Sequence, residues 1–239
     1  MIQTANRWLP RLTAVAVIVA LFFAFSSPRE VTLGQSARLF FVHVPSIMVA
    51  YLSFTTTLIG SALYLATKRM KWDHLALASA EAGAVFTGMT LLIGMIWAKP
   101  TWGVYWTWSS RLTLTAILFF VYLGYLALRR AITDPEVRAR RAAILGILSI
   151  AQIPIVHMSV IWWRDVHQAP TLATPQGMQI DPPILIAFLF SAVAFALLAT
   201  LLISLRYRIA EAEYLLETTD PTTGVAGDAV TAPVLTREF

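Results

Sequence analysis

Four histidines and one dense run of tryptophan are the residues of this chain with the most chemistry to offer. The run is Trp97-Ala98-Lys99-Pro100-Thr101-Trp102-Gly103-Val104-Tyr105-Trp106-Thr107-Trp108, which places four Trp and one Tyr within twelve residues. Drawn as a helix lying flat, it sets Trp102 and Trp106 on one face at i and i+4, with Tyr105 adjacent. Trp108 falls on the opposite flank, and Pro100 and Gly103 break the chain around the segment. Lys99 and Arg111 place a cation at each end. Such a surface suits a large, flat, apolar ligand with anionic edges. It also suits an aromatic belt, because Trp and Tyr favour the headgroup level of a membrane. Spacing alone leaves both open.

Imidazole is a good iron ligand, and haem iron takes axial His. His43 opens an apolar stretch in Phe40-Phe41-Val42-His43-Val44-Pro45, and His167 closes another in Trp162-Trp163-Arg164-Asp165-Val166-His167. Both are expected at the depth of the Trp run, as iron ligands or as polar ends of helices. His157 lies about ten residues, or ~15 Å of helix, from His167, so the two cannot share one iron. A buried hydrogen-bonding role is expected for it. His74, beside Lys71 and Asp73, reads as an interfacial polar residue at the other end. Glu81, about two turns inside a span, reads as a structural or partner-contact carboxylate, since charge in a span is costly.

The elements that must position these residues follow from composition. Of 239 residues, 58% are hydrophobic and 13% charged, and mean hydropathy is +0.69. A soluble domain carries about 25% charged residues, so a soluble globular protein, a disordered chain and a fibre are all excluded. Without cysteine there is no disulfide, thiolate metal site or Cys nucleophile. A span needs about 20 mostly apolar residues. Six are expected: Trp8 to Phe25, Val44 to Thr67, Leu75 to Trp97, Leu112 to Leu128, Ala142 to Trp163 and Ile184 to Leu205. The fold class is therefore all-α, a polytopic bundle of six transmembrane helices with a Trp-rich interfacial loop. Residues 1–209 form one membrane domain. Residues 210–239 are expected to be a largely disordered tail with no legible function. The first span resembles a signal peptide, but Ser26-Ser27-Pro28-Arg29-Glu30 is a poor cleavage site, so a retained helix is expected. No internal repeat suggests an inverted-repeat transporter.

Orientation follows the basic residues. Arg7, Arg11, Lys68, Arg69, Lys71, Arg129, Arg130, Arg138, Arg140, Arg141, Arg206 and Arg208 fall on one side. Arg29, Arg38, Lys99, Arg111 and Arg164 fall on the other. Both termini, and with them the tail, are expected in the cytoplasm, with loops 26–43, 98–111 and 164–182 facing outward.

The stretch from Trp97 through Trp102-Gly103 to Trp106-Thr107-Trp108, followed by Arg111-Leu112-Thr113, resembles the tryptophan-rich signature of haem-handling proteins of cytochrome c biogenesis. Val42-His43-Val44-Pro45 and Ile153-Pro154-Ile155-Val156-His157 through Trp162-Trp163 to His167-Gln168 resemble one branch. That branch is the six-span haem exporter protein C family of the cytochrome c maturation system, and the likeness covers about residues 8–205. It implies a protein of the bacterial inner membrane that holds haem b at the outer face. It implies axial ligation by His43 and His167 and a porphyrin platform of Trp102, Tyr105, Trp106 and Trp108. Lys99 and Arg111 become candidates for the propionates. The implied partners are a membrane-anchored haem chaperone, which passes haem to apocytochrome c, an ATP-binding-cassette ATPase complex and a small single-span subunit. The implied role is handling and transfer, not catalysis. The chain departs from the family signature at Ser109, where an Asp is expected. Serine can cap a helix but cannot pair with a cation.

Two alternatives stand beside this one. A b-type electron-transfer cytochrome would place its His pair deep in the spans, where His157 is the one candidate. A small-solute permease would show broken helices with polar linings near mid-membrane.

Overall fold

The computed structural model describes residues 7–164, 166–167 and 180–219. Seven α-helices appear among them: α1 (Trp8–Ser26), α2 (Phe40–Thr67), α3 (Met70–Trp102), α4 (Ser110–Ala131), α5 (Pro135–Ser149), α6 (Gln152–Trp163) and α7 (Pro182–Thr219). They make six helical stretches long and apolar enough to cross a membrane, with α5 and α6 together forming the fifth. The expected all-α, six-span architecture is present.

Antiparallel α2 and α3 are the central pair, with α1 packed on α7 at one side and α4 closing the other. Lipid gives two helices no hydrophobic reason to associate, so contact rests on close packing and interhelical hydrogen bonds. The facing positions are accordingly small. Ser46, Ser53, Thr57, Gly60 and Ser61 of α2 are buried, as are Ala76, Ser79, Ala80, Gly83, Ala84 and Thr87 of α3. At Gly60 a β-carbon would lie 2.8 Å from the Trp72 carbonyl, so the backbones meet there. The Thr57 and Ser79 hydroxyls join the two helices at 3.1 Å. The Phe54 ring stacks on Tyr122 at 3.5 Å and ties in α4. Large apolar side chains such as Phe22, Val85, Leu92, Phe120 and Leu148 point outward instead, as a hydrocarbon surround requires.

Three boundaries differ from the sequence expectation. α3 extends from Met70 to Trp102, past the expected limits at both ends. α7 continues to Thr219, ten residues beyond the boundary at 209, while residues 220–239 lie outside the described residues. Its extension is held by Arg206, which pairs with Glu81 and with Glu213 at 2.9 Å, and by Arg138 with Glu217 at 2.6 Å. The fifth span is broken at Ile150–Ala151. Pro154 has no N–H for the Ile150 carbonyl, which instead accepts from Ile153 N–H at 3.1 Å. Gln152 Nε2 donates to the Leu114 carbonyl at 3.0 Å, which ties the break to α4.

The bundle has two chemically distinct ends, separated by the length of α3, ~50 Å at 1.5 Å per residue. The arginine-rich end holds a buried bidentate ion pair: Arg129 donates to both Asp73 oxygens at 2.6 Å, with the residues 7% and 3% exposed. His74, expected to be an interfacial polar residue, lies at this end and is buried under Tyr207 and Tyr214 of α7. At the tryptophan-rich end the loop between α1 and α2 turns back through Gly34, at φ +56°. The Glu30 carboxylate accepts from Leu33 and Thr32 N–H groups, and these bonds hold it below the usual carboxylate range. A 3-10 turn, Gln35–Leu39, leads into α2.

Candidate functional site at the tryptophan-rich end

The last turns of α3 carry Trp97 and Trp102, and the helix stops at Gly103. That residue sits in the left-handed region at φ +80°, a conformation open to glycine at a helix C-terminus. Its N–H donates to the Lys99 carbonyl at 3.0 Å. Lys99 Nζ donates to the Gly103 carbonyl at 2.8 Å and lies 5.4 Å from the Tyr105 ring centre. The expected flat helix through residues 102–106 is therefore not formed: Gly103 ends α3, and the chain is non-helical up to Ser109. Pro100 does not break the helix but sits in its final turn. Trp102 and Trp106 are consequently not i, i+4 partners. Trp106 instead meets Trp108 edge-on at 5.7 Å. Tyr105 and Trp108 are exposed, at 57% and 83%, while Trp102 and Trp106 are half-buried.

Each of the two expected histidines has one tryptophan of α3 as its neighbour. His43, in the first turn of α2, meets Trp97 edge-on at 5.7 Å. His167, four residues past the end of α6, meets Trp102 edge-on at 4.8 Å. The two imidazoles, with Arg111, are close enough to interact electrostatically. The chain thus gathers His43, His167, Trp97, Trp102 and Arg111 from four separate elements. Arg111 at the start of α4 also donates through Nη2 to the His157 carbonyl at 3.0 Å, joining α4 to α6. The His157 side chain is exposed, so the buried role expected for it does not hold; it is the backbone of His157 that takes part.

Gly94 and Trp97 were not singled out from sequence. A β-carbon at Gly94 would lie 2.8 Å from His43 Cε1 and 3.4 Å from Nδ1, so the imidazole rests against bare backbone there. Trp97 carried a signal, as the first member of the Trp run. Gly94 carried none, because its role depends on the pairing of α2 with α3.

Buried polar atoms normally find a partner. At this end His43 Nδ1, Trp97 Nε1, Trp106 Nε1, Thr107 Oγ1, Ser109 Oγ and Thr113 Oγ1 are buried and have none. Ser109 occupies the N-cap of α4, but its side chain makes no capping bond. A carboxylate there would face the positive end of the helix, which gives the serine departure a physical setting. No group of three or more His, Asp or Glu side chains that could hold a metal ion occurs among the described residues. Two imidazoles beside aromatic rings instead fit an iron whose equatorial donors come with the ligand.

Residues 1–219 match the family model described as Heme exporter protein C. The Heme exporter protein C of Bradyrhizobium diazoefficiens is 36% identical over 191 residues, covering 80% of this chain and 73% of that protein. That of Haemophilus influenzae is 36% identical over 199 residues, covering 83% and 79%. That of Escherichia coli is 34% identical over 203 residues, covering 84% and 81%. With its whole membrane-spanning part matched, and relatives aligned over most of their own lengths, this chain belongs to the heme exporter protein C family.

Proposed function

We propose that this protein holds haem b at the tryptophan-rich end, with His43 and His167 as the axial iron ligands, and delivers it to a haem chaperone for cytochrome c assembly. The family supports a role in haem handling for cytochrome c maturation and a place in a multi-pass bacterial inner membrane. The observation that carries the finer reading is that His43 beside Trp97 and His167 beside Trp102 stand at the same end of the bundle, within electrostatic range of each other. Haem is cargo here, and the protein does no redox chemistry on it. Lys99 and Arg111 would meet the propionates by charge-assisted hydrogen bonds. The tryptophan-rich end faces outward and both termini are cytoplasmic, following the basic-residue asymmetry. An ATP-binding-cassette ATPase complex and a small single-span subunit are the proposed membrane partners.

The test is the absorption spectrum and haem content of the purified protein, together with reporter fusions at residues 105, 135 and 215. A bis-histidine haem spectrum, an outward reporter at 105 and cytoplasmic reporters at 135 and 215 are expected. A cytoplasmic reporter at 105 overturns the model. The permease alternative draws on the break in the fifth span. Transport of a solute into vesicles by a protein with no haem spectrum would establish it instead.

Two substitution series probe the site. Trp102→Ala with Trp106→Ala should leave the protein inserted yet weaken haem retention. An aromatic contact contributes about 0.5–1.5 kcal/mol beyond its area, which is about two- to tenfold per ring. Reduced membrane abundance with unchanged haem per protein would show these rings to be an interfacial belt. Gly94→Ala forces the His43 ring to move. Overpacking costs about 1–3 kcal/mol, so haem bound through both histidines should fall about fivefold or more. Gly124→Ala, where a β-carbon meets nothing within 4 Å, should change neither haem content nor abundance.

A further inference from the structure

The first span is seated on one side. α1 packs on α7, where Phe23 stacks on Phe190 with ring centres 4.4 Å apart, but it barely meets α2. A groove of about 370 Å³ runs between α1 and α2, with α7 as its third side. Side-chain size explains the gap. Ala20 and Ala24 of α1 and Ser191 and Ala194 of α7 are too small to fill it, and Phe41 and Phe195 wall it. The groove follows α1 from Val17 to Phe25, ~12 Å at 1.5 Å per residue. Two of its lining residues, Leu21 and Phe25, are exposed, which places one side of the groove at the lipid-facing surface.

One end of the groove carries a cation. Arg38, with Gln35 and Leu39 of the 3-10 turn, lines it at the tryptophan-rich end of the bundle. Arg38 Nη2 donates to the Ser27 carbonyl at 3.2 Å, and its guanidinium carbon lies 5.6 Å from the Phe25 ring centre. A guanidinium has five N–H donors, and here Nε is buried without an acceptor. Arg38 makes no ion pair among the described residues, and no carboxylate is among the residues lining the groove. An apolar slot with an underused cation at its end fits an amphiphile that has an anionic group above a hydrocarbon chain. A partner helix fits poorly. One turn, ~10–12 Å across and 5.4 Å long, occupies about 400–600 Å³, more than the whole groove. Haem fits poorly as well, because the groove offers one cation for two carboxylates and no imidazole for the iron.

We propose that this groove binds an anionic phospholipid, with one acyl chain lying between α1 and α2 and the headgroup phosphate meeting Arg38. Guanidinium–phosphate hydrogen bonds are charge-assisted, and therefore stronger than neutral ones. The bound chain supplies the contact that α1 and α2 do not make with each other, and so holds the first span against the bundle.

The test is native mass spectrometry of the delipidated full-length protein in detergent, titrated with dioleoylphosphatidylglycerol or dioleoylphosphatidylcholine. Phosphatidylglycerol should bind at one per chain, and more tightly than phosphatidylcholine. Arg38→Gln should weaken phosphatidylglycerol binding about fivefold, the factor for one cation at an anionic lipid surface, and remove the preference. Val17→Trp fills the slot with an apolar ring and should abolish the one-to-one binding. Val15→Trp, at an exposed position of α1, should leave it intact. The proposal is overturned if the wild type binds the two lipids alike, or if Val17→Trp binds as the wild type does. Arg38→Gln keeps every apolar side chain of the groove, so it decides independently should Val17→Trp fail to fold: unchanged phosphatidylglycerol affinity there overturns the proposal too. A wild type that takes up no phospholipid, together with loss of haem in Val17→Trp, would make haem the occupant and overturn it as well.

Discussion

His43→Ala and His167→Ala should each lower the six-coordinate, low-spin haem recovered with the protein by at least about tenfold. His157→Ala should leave it unchanged. The two effective positions come from different elements, α2 and the segment after α6, and are brought into electrostatic range of each other and of Arg111. Changes in the partners that merely orient a metal ligand cost about 10–100-fold, so loss of a ligand itself should cost no less. His157 is a sharp control because it lies on α6, yet its ring is exposed and its carbonyl, kept in the alanine variant, is the group that accepts from Arg111. Spin state measured by absorption, alongside haem per protein, reads the result. Equal losses in all three variants would mean that the structure of α6, not ligation, was being measured.

The other large effect is expected at the opposite end. Asp73→Ala should destabilise the protein by about 3–5 kcal/mol, the range for removing one partner of a buried pair and leaving the other charge alone. Arg129 then keeps a guanidinium that is 7% exposed and has lost both bonds to carboxylate. Asp73→Ala combined with Arg129→Leu should recover most of the loss, because the buried charge leaves with its partner. Thermal unfolding in detergent and abundance in the membrane read both variants. A single variant as stable as the double would mean that water reaches Arg129 in the bundle.

The legibility of these features follows from the range of the interactions behind them. The six spans were legible because length and apolar content are local properties, and the placement of His43 and His167 at one end because each sits at the end of an apolar run. The flat helix through Trp102 and Trp106 was not formed, because Gly103 takes a left-handed conformation that ends α3 there. Residue spacing shows neither this nor where a helix stops after a proline. The break at Ile150 carried a signal in Pro154, but apolar content alone did not weigh it. The Gly94 cradle under His43 and the burial of His74 under Tyr207 and Tyr214 are contacts between residues far apart in sequence, and no local pattern marks them.

The break in the fifth span makes the two ends of the proposed clamp mechanically unequal. His43 stands on a continuous helix, pressed against the α3 backbone at Gly94. His167 follows a twelve-residue helix, a lever of ~18 Å. That lever hangs from an interrupted turn and is steadied by two tethers, Gln152 to Leu114 and Arg111 to His157. Interrupted helices bend at their interruption, so the joint between α5 and α6 lies at Ile150–Ala151. One jaw is anvil and the other is hinge: if His43 and His167 grip the cargo as proposed, the jointed side is the one expected to let go, His167 first and His43 last.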